Sequence, residues 1–140
     1  MTDLPISFDD LAERLKLNPF HQWLGLELLE MGPGSVEISA TWRPEWVSNP
    51  ERGFVHGGIL AALVDLTADF ALAAKLGKPY PTVDMRVDYH RGAGPGDLRT
   101  RGQVIRTGGT FSTSEAFVYD AKGTLLASGR GVYFSGLGKA

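Results

Sequence analysis

Two aspartates, Asp65 and Asp69, lie in the middle of residues 56–75, a long apolar stretch of the 140-residue chain. If the stretch is helical, side chains four residues apart lie on one face. A carboxyl group among apolar neighbours needs hydrogen-bond partners or a shifted pKa, and such groups are enriched at active sites. Either aspartate could attack a carbonyl carbon or deprotonate a water that attacks it. The alternative is a structural carboxylate bound to a neighbouring strand or subunit.

The tripeptide at the start of this stretch, His56-Gly57-Gly58, could supply the other half of such chemistry. The first backbone N–H groups of a helix lack partners, and the helix dipole adds about half a positive charge there. Because glycines let a ligand approach the backbone closely, a carbonyl oxygen could be polarised at this point. Alternatively, the glycines only shape a tight turn, and His56 only caps or packs against the helix. Asp65 lies closer to the helix start, so we favour it for the chemistry and expect Asp69 to be structural or at an interface.

Residue types that would indicate other chemistry are missing or wrongly spaced. The sequence has no G-x-S-x-G motif, and its three histidines lack the spacing of a metal site, so no metal is expected. It has no cysteine and no apolar signal-peptide stretch near its start, which favours a reducing, cytoplasmic location. A net charge of -2 and a pI near 5.9 show no electrostatic sign of a nucleic-acid partner.

The candidate residues need a scaffold, and the sequence predicts one α+β domain over residues 1–140. Residues 1–23 are predicted to be an N-terminal helical segment, and residues 24–134 the core. Within the core, 57–76 form one long helix, and 43–55 form a loop. Period-2 alternation and turn residues predict six strands in an antiparallel sheet around this helix, at 24–31, 35–42, 82–90, 98–107, 110–120 and 124–134.

The long helix is apolar around most of its circumference, so it lies either inside the protein or in a membrane. Asp65 and Asp69 would each cost about 3 kcal/mol near the centre of a bilayer. Residues 82–90 alternate between an apolar set that begins at Val83 and a polar set that begins at Thr82, which is typical of a half-buried strand. We therefore predict that the helix is buried in the sheet and that the protein has no membrane partner.

Two segments carry a resemblance to a known family, GFVHGGILAALVD at 53–65 and TVDMRVDY at 82–89. With the closing meander of strands, the chain resembles the hot-dog-fold acyl-CoA thioesterases of the PaaI type over most of residues 24–134. The resemblance implies a sheet wrapped around the long helix and hydrolysis of an acyl-CoA to a free acid and CoA. It also implies a homodimer joined sheet edge to sheet edge, and pairing of two dimers into a homotetramer stays open. No cofactor is implied, since coenzyme A is part of the substrate.

The resemblance also assigns roles to residues of this sequence. Asp65 would be the nucleophile or general base, and the backbone N–H of Gly57 would polarise the thioester carbonyl while His56 supports its loop. Thr82 would help to hold the attacking water. Asp65 and Thr82 would come from one subunit, and His56 and Gly57 from the other, so that each active site lies between two subunits.

The family often has an asparagine six residues before the histidine, where this chain has Pro50. Asn49 lies seven residues before it, and a one-residue insertion in the loop could still bring Asn49 to the site. The N-terminal helix could cap the acyl pocket, which would connect Phe8, Leu11 and Trp23 with substrate choice. The candidates for substrate contact are Val55 and Gly58, with Arg91, Arg106 and Lys122 as cations for the CoA phosphates. The alternative for each cation is a solvated surface side chain, which we favour for any one of them.

Two other functions are compatible with this scaffold. A non-catalytic acyl-CoA-binding or lipid-binding module on the same fold is the main alternative, and it would bind its ligand without turnover. A hot-dog dehydratase or hydratase is less favoured, because the acid–histidine pairing expected of those enzymes is not evident. The acyl group stays open among phenylacetyl, hydroxybenzoyl, medium-chain and long-chain types, because pocket depth depends on packing.

Overall fold

Six antiparallel strands form one sheet in the computed structural model, which describes residues 4–136. The strand order is β1-β2-β6-β7-β8-β5, so β1 and β5 are the edges, and a separate two-stranded hairpin pairs β3 with β4. The elements are α1 Phe8–Leu15, α2 Pro19–Trp23, β1 Glu27–Gly32, β2 Ser35–Ala40, β3 Val47–Asn49, β4 Phe54–Val55, α3 Gly57–Leu76, β5 Thr82–Tyr89, β6 Leu98–Arg106, β7 Phe111–Tyr119 and β8 Leu125–Phe134. This arrangement confirms the predicted α+β class. Residues 1–3 and 137–140 of the predicted domain lie outside the described part.

The 20-residue helix α3 lies on the sheet and has the bounds that the sequence predicted. His56 is its N-cap residue, and Gly77 ends it in the left-handed conformation with φ of 101°. Most of its apolar side chains are buried against the strands. Among residues 4–136, no helix combines the length and the apolar character that crossing a bilayer requires.

Residues without side chains let α3 lie very close to the central strands. A Cβ atom added to Gly102 of β6 would lie 2.6 Å from the carbonyl oxygen of Thr67, and one added to Gly129 of β8 would lie 2.8 Å from Cγ1 of Val64. The Thr67 hydroxyl donates a buried hydrogen bond of 2.8 Å to that of Thr100 on β6. The helix is therefore held at a defined depth and rotation against the sheet, which determines where its polar side chains emerge.

The structure differs most from the predicted elements in two places; in addition, several strand ends are shifted, and the strand predicted at 35–42 ends at Ala40. Residues 43–55, predicted to be a loop, contain a 3-10 turn at Pro44–Trp46 and the β3–β4 hairpin. These strands of three and two residues are too short to show an alternating pattern. The first core strand begins at Glu27 and not at residue 24, because the chain first leaves α2 through Gly25, whose φ is 65°.

Candidate active site

The carboxyl group of Asp65 is held by two hydroxyl groups from the sheet. Thr82 Oγ1 donates a hydrogen bond of 2.7 Å to Asp65 Oδ1. The hydroxyl of Tyr133 lies 3.0 Å from the same Oδ1 and 2.9 Å from the Asp65 carbonyl oxygen. Within residues 4–136, nothing donates a hydrogen bond to the other carboxylate oxygen, Oδ2. The predicted pairing of Asp65 with Thr82 in one chain therefore has the required geometry.

Thr82 reaches the helix because β5 is irregular at its start. The register between β5 and β8 shifts between Thr82 and Asp84, which leaves Val83 as a bulged residue. Strict alternation would place Thr82 with the polar set of the strand, as the sequence predicted, and so on the face away from α3. That part of the prediction is wrong, because the bulge turns Thr82 toward Asp65 and keeps Tyr89 on the helix side as well.

Tyr133, which is fully buried near the end of β8, was not predicted as a site residue. Burial raises the pKa of its hydroxyl well above the usual range, and the charges of Asp65 and Asp69 raise it further. The hydroxyl therefore keeps its proton and acts as a donor. In the sequence, Tyr133 resembles any inward-facing aromatic core residue. Its one distinguishing signal is that a buried tyrosine hydroxyl needs a polar partner.

The start of α3 presents one open backbone N–H group. His56 Nδ1 accepts a hydrogen bond of 2.8 Å from the Gly58 N–H, so the imidazole acts as the N-cap. The Ile59 N–H binds the His56 carbonyl oxygen at 2.9 Å. In contrast, the Gly57 N–H has no acceptor in the described part of the chain. The Tyr89 hydroxyl donates to the Gly57 carbonyl oxygen at 3.0 Å, and its ring lies beside this glycine.

The two halves of the predicted chemistry lie far apart within one chain. Gly57 and Asp65 are separated by eight residues of α3, which corresponds to about 12 Å along the helix axis. The carbonyl oxygen must lie within about 3 Å of the N–H donor, and the attacking oxygen, from Asp65 itself or from a water that Asp65 holds, must lie close to the carbonyl carbon. This separation is the reason to consider a Gly57 and an Asp65 from two different chains.

Asp69 lies one turn beyond Asp65 and has a different role in the structure. Its Oδ1 accepts a hydrogen bond of 2.8 Å from the backbone N–H of Tyr80. Burial raises the pKa of the Asp69 carboxyl to about 7; the Tyr80 N–H opposes the rise, and the charge of Asp65 adds to it. These contacts agree with the structural interpretation of Asp69.

Comparison with known proteins decides the family. A family model described as the thioesterase superfamily matches residues 52–127. The chain belongs to the thioesterase superfamily. Human acyl-coenzyme A thioesterase 13 is 31% identical to it over 135 residues, which cover 93% of this chain and 95% of that protein.

Solved structures agree with this assignment to the thioesterase superfamily. A crystal structure of another protein from the thioesterase superfamily is 49% identical, has a TM-score of 0.87 and matches 89% of this chain and 94% of that one. The Escherichia coli PaaI protein from the phenylacetic acid degradation operon has a TM-score of 0.78 over 91% of this chain and 95% of that one; at 19% identity it supports the fold alone. The predicted hot-dog fold, the PaaI-type resemblance and membership of a thioester-hydrolase family are confirmed.

In this superfamily member, Asp65 opens onto a cleft of about 640 Å³ between α3 and the N-terminal segment. Leu66 and Phe70 provide apolar surface, and Asp69 and His21 provide polar groups. Burial lowers the pKa of His21, although the hydrogen bond between its Nδ1 and the Leu15 carbonyl oxygen, 2.8 Å long, opposes this. Because a carbonyl oxygen can only accept, Nδ1 carries the proton of this hydrogen bond.

The N-terminal segment borders this cleft, but not through the residues that were predicted. Leu11 is fully buried in the core, and neither Phe8 nor Trp23 lines the cleft. Arg14 and Leu17 line it in their place. The core-facing side of α1 is determined by packing against β1 and α3, which buries Leu11. A role of Phe8, Leu11 and Trp23 in substrate choice stays a prediction.

The residues just before α3 shape the approach to Gly57. Asn49 closes the β3–β4 turn: its Oδ1 accepts the Glu51 N–H at 3.0 Å, and its carbonyl oxygen accepts the Gly53 N–H at 2.8 Å. Val55 is buried, and its N–H binds the Ala93 carbonyl oxygen at 2.8 Å. The Gly58 N–H is occupied by His56. Roles for Asn49, Val55 and Gly58 in substrate contact stay predictions.

The three cations predicted to bind CoA phosphates do not lie together. The Arg91 N–H binds the Leu126 carbonyl oxygen at 3.2 Å, which places Arg91 beside the β7–β8 turn that contains Lys122. This is the end of the sheet where Tyr89 meets Gly57. Arg106 ends β6 at the opposite end of the sheet. All three side chains are exposed, and their role in phosphate binding stays a prediction.

Proposed function

We propose that this protein hydrolyses acyl-CoA thioesters to a free carboxylic acid and CoA, with Asp65 as the general base. The observation that carries the proposal is the position of Asp65: its carboxylate is held by Thr82 at the mouth of a half-apolar cleft, and Oδ2 has no donor among residues 4–136. Membership of the thioesterase superfamily and the acyl-CoA substrate named in the human relative support the substrate class.

The hydrogen bond from Thr82 favours a base over a nucleophile. A threonine hydroxyl has one proton, and Thr82 uses it in the hydrogen bond that it donates to Asp65 Oδ1. Toward the cleft, Thr82 therefore offers only lone pairs, which can accept a hydrogen from a water but cannot polarise a carbonyl. Thr82 Oγ1 and Asp65 Oδ2 would share such a water between them.

The proposed reaction then balances as follows. Asp65 takes a proton from the water, whose oxygen forms a bond to the thioester carbon, and the carbonyl oxygen becomes an oxyanion. The Gly57 N–H of a second chain, at the positive end of its helix, stabilises this charge. When the oxyanion collapses, the C–S bond breaks; the CoA sulfur leaves with the proton that Asp65 carried, and the free acid is released.

The second chain follows from the separation of about 12 Å between Gly57 and Asp65 along α3. Strand β5 pairs with β8 on one side only, and its other side is the open edge of the sheet. Antiparallel pairing of two β5 strands about a two-fold axis would set two α3 helices side by side in opposite directions. We propose that this homodimer brings Gly57 of one chain toward Asp65 of the other. Further pairing into a tetramer and a cytoplasmic location stay predictions.

The test compares wild type with Asp65→Asn on a panel of aryl, medium-chain and long-chain acyl-CoAs, with release of free thiol as the readout. We expect at least a 100-fold loss of kcat with the fold retained, because the isosteric amide has no basic oxygen at the Oδ2 position. Asp9→Asn, an exposed aspartate in the first turn of α1, is the matched control and should retain wild-type activity. Turnover by Asp65→Asn near the wild-type rate would contradict the proposal.

Two further measurements separate the alternatives. Calorimetric titration that shows tight acyl-CoA binding by a wild type without hydrolytic activity would favour the non-catalytic binding module. Single-turnover hydrolysis in ¹⁸O-labelled water distinguishes base from nucleophile. A general base places the label only in the released acid, whereas water that opens an acyl-aspartyl anhydride at its aspartyl carbon places the label in Asp65; labelled Asp65 would therefore contradict the general base.

A further inference from the structure

Thr82 and Tyr133 are direct partners across the β5–β8 pair, and their hydroxyl groups converge on one oxygen atom. Both lie within 3.0 Å of Asp65 Oδ1, from opposite strands of the same ladder. The bulge after Thr82 is what aligns the two, since without it Thr82 would face away from α3. Three elements of the fold therefore meet at a single carboxylate oxygen.

Room for the Tyr133 ring comes from Gly131, two residues earlier on the same face of β8. A Cβ atom on Gly131 would lie 2.6 Å from both Cε2 and Cζ of Tyr133 and would touch its hydroxyl oxygen. The ring thus lies along the strand over the space that a side chain would fill. This placement lets a fully buried tyrosine direct its hydroxyl at the helix backbone and at Asp65 together.

We propose that Tyr133 is a positioning residue that, together with Thr82, fixes Asp65 Oδ1 and so assigns Oδ2 as the oxygen that takes the proton from water. This inference rests on the proposed function and specifies which atom of the base acts. A carboxylate free to rotate would present either oxygen. Here the Tyr133 hydroxyl spans the Asp65 carbonyl oxygen and Oδ1, so rotation about the Cβ–Cγ bond would break two hydrogen bonds to Oδ1.

The first test removes single hydroxyl groups. Tyr133→Phe is expected to lower kcat about tenfold while KM stays within about twofold, because the acyl group still binds but the base is misoriented. Tyr119→Phe is the matched control, since Tyr119 lies on the outer face of β7 and its hydroxyl has no partner within residues 4–136. Thr82→Val should likewise lower kcat, whereas Thr82→Ser, which keeps the hydroxyl, should have a kcat near that of wild type. If Thr82 acted only through its methyl group, Thr82→Ser would be the more damaged variant.

The second test uses the space beside the ring. Gly131→Ala should displace the Tyr133 ring and lower kcat at least as much as Tyr133→Phe does. Gly94→Ala, where an added Cβ atom meets nothing within 4 Å, is the control and should be neutral. Wild-type kcat in both Tyr133→Phe and Gly131→Ala would overturn the inference.

A third test does not depend on activity, so that failure of the inference and failure of the proposed function can be told apart. In a crystal structure of Tyr133→Phe, we expect the Asp65 carboxylate to be rotated or to occupy two conformers. An unchanged carboxylate would overturn the positioning role even if the protein hydrolysed no acyl-CoA. In wild type with a bound non-hydrolysable acyl-CoA analogue, a water on Oδ2 supports the assignment, and a water on Oδ1 contradicts it.

Discussion

The backbone N–H of Tyr80 donates a hydrogen bond of 2.8 Å to Oδ1 of Asp69. Two residues later, the Thr82 hydroxyl donates to Asp65, one helical turn away from Asp69. The two aspartates on one face of α3 therefore secure the same connection, in which the chain turns from the helix into β5. Asp69 binds the backbone of this connection at Tyr80, and Asp65 binds the side chain of Thr82, with which β5 begins.

The first prediction concerns Asp69 and pH. Its carboxyl has a pKa of about 7 in the fold, against an ordinary value of 3.8. Because the folded chain then binds more protons than the unfolded chain between these values, the free energy of unfolding should fall as pH rises from about 4 to about 7. Asp69→Asn lacks this titration but keeps an oxygen for the Tyr80 N–H. Relative to wild type, it should gain on the order of 3 kcal/mol between pH 4 and pH 8.

Urea unfolding of both proteins at several pH values measures this difference. The charged and titratable groups around Asp69 are Asp65 on its own helix, Tyr133 on β8, and Arg14 and His21 across the cleft. Asp9→Asn serves as the control, because Asp9 is exposed in the first turn of α1. Parallel curves for wild type and Asp69→Asn would show that Asp69 does not titrate in this range.

The second prediction concerns the open N–H group at the start of α3. A Cβ atom at Gly57 would lie 3.3 Å from the Tyr89 ring, on the backbone that a carbonyl oxygen must approach. Gly57→Ala should lower kcat more than tenfold while the fold is retained, since alanine is a good helix former. Steady-state kinetics with circular dichroism tests this, and Gly94→Ala is the matched control. Wild-type kinetics in Gly57→Ala would contradict a close approach of the reacting carbonyl to this part of the backbone.

The third prediction tests whether sites are shared between chains. Asp65→Asn and Gly57→Ala, each nearly inactive alone, are mixed in equal amounts, unfolded together and refolded. A mixed dimer has one site with both defects and one site with none. Random assortment should then recover about a quarter of wild-type activity. If each site lay within a single chain, mixing would recover no activity.

The fourth prediction concerns the cap of α3. His56 Nδ1 accepts the Gly58 N–H at 2.8 Å, so His56→Ala leaves a backbone donor without a partner and should cost about 1 kcal/mol of unfolding free energy. Asparagine is a good N-cap residue, so His56→Asn should retain most of that stability. Denaturant midpoints give the comparison. Equal losses in the two variants would mean that His56 acts through packing and not through the cap.

The sequence predicted the bounds of α3 correctly because both ends have local signals: a polar residue before two glycines, and Gly77 at the C-terminus. The family resemblance also predicted that Asp65 and Thr82 of one chain lie in the same site. The side of the strand on which Thr82 lies could not be read from alternation, because a β-bulge depends on the pairing of two strands and leaves no period of its own.

Tyr133 shows a second limit of sequence reasoning. Its contact with Asp65 joins residues 68 positions apart, and it depends on the Gly131 space and on the close approach of α3 to β8. None of these features changes the alternating pattern of the strand, so Tyr133 cannot be distinguished from other buried aromatic residues. The β3–β4 hairpin was not predicted for a simpler reason: its strands have three and two residues, which is too short to show an alternating pattern.

The open side of β5 has a consequence for the solubility of an isolated chain. Along the eight residues of β5, the backbone donors and acceptors that point away from β8 have no neighbouring strand within residues 4–136, and the exposed side chain of Val83 lies beside them. Such an edge pairs readily with any extended polypeptide and is a known route to aggregation. A second copy on this edge would therefore act as a protective cover as well as a source of Gly57. Variants that weaken the pairing should be recovered first as insoluble protein, before any change in their kinetics is measured.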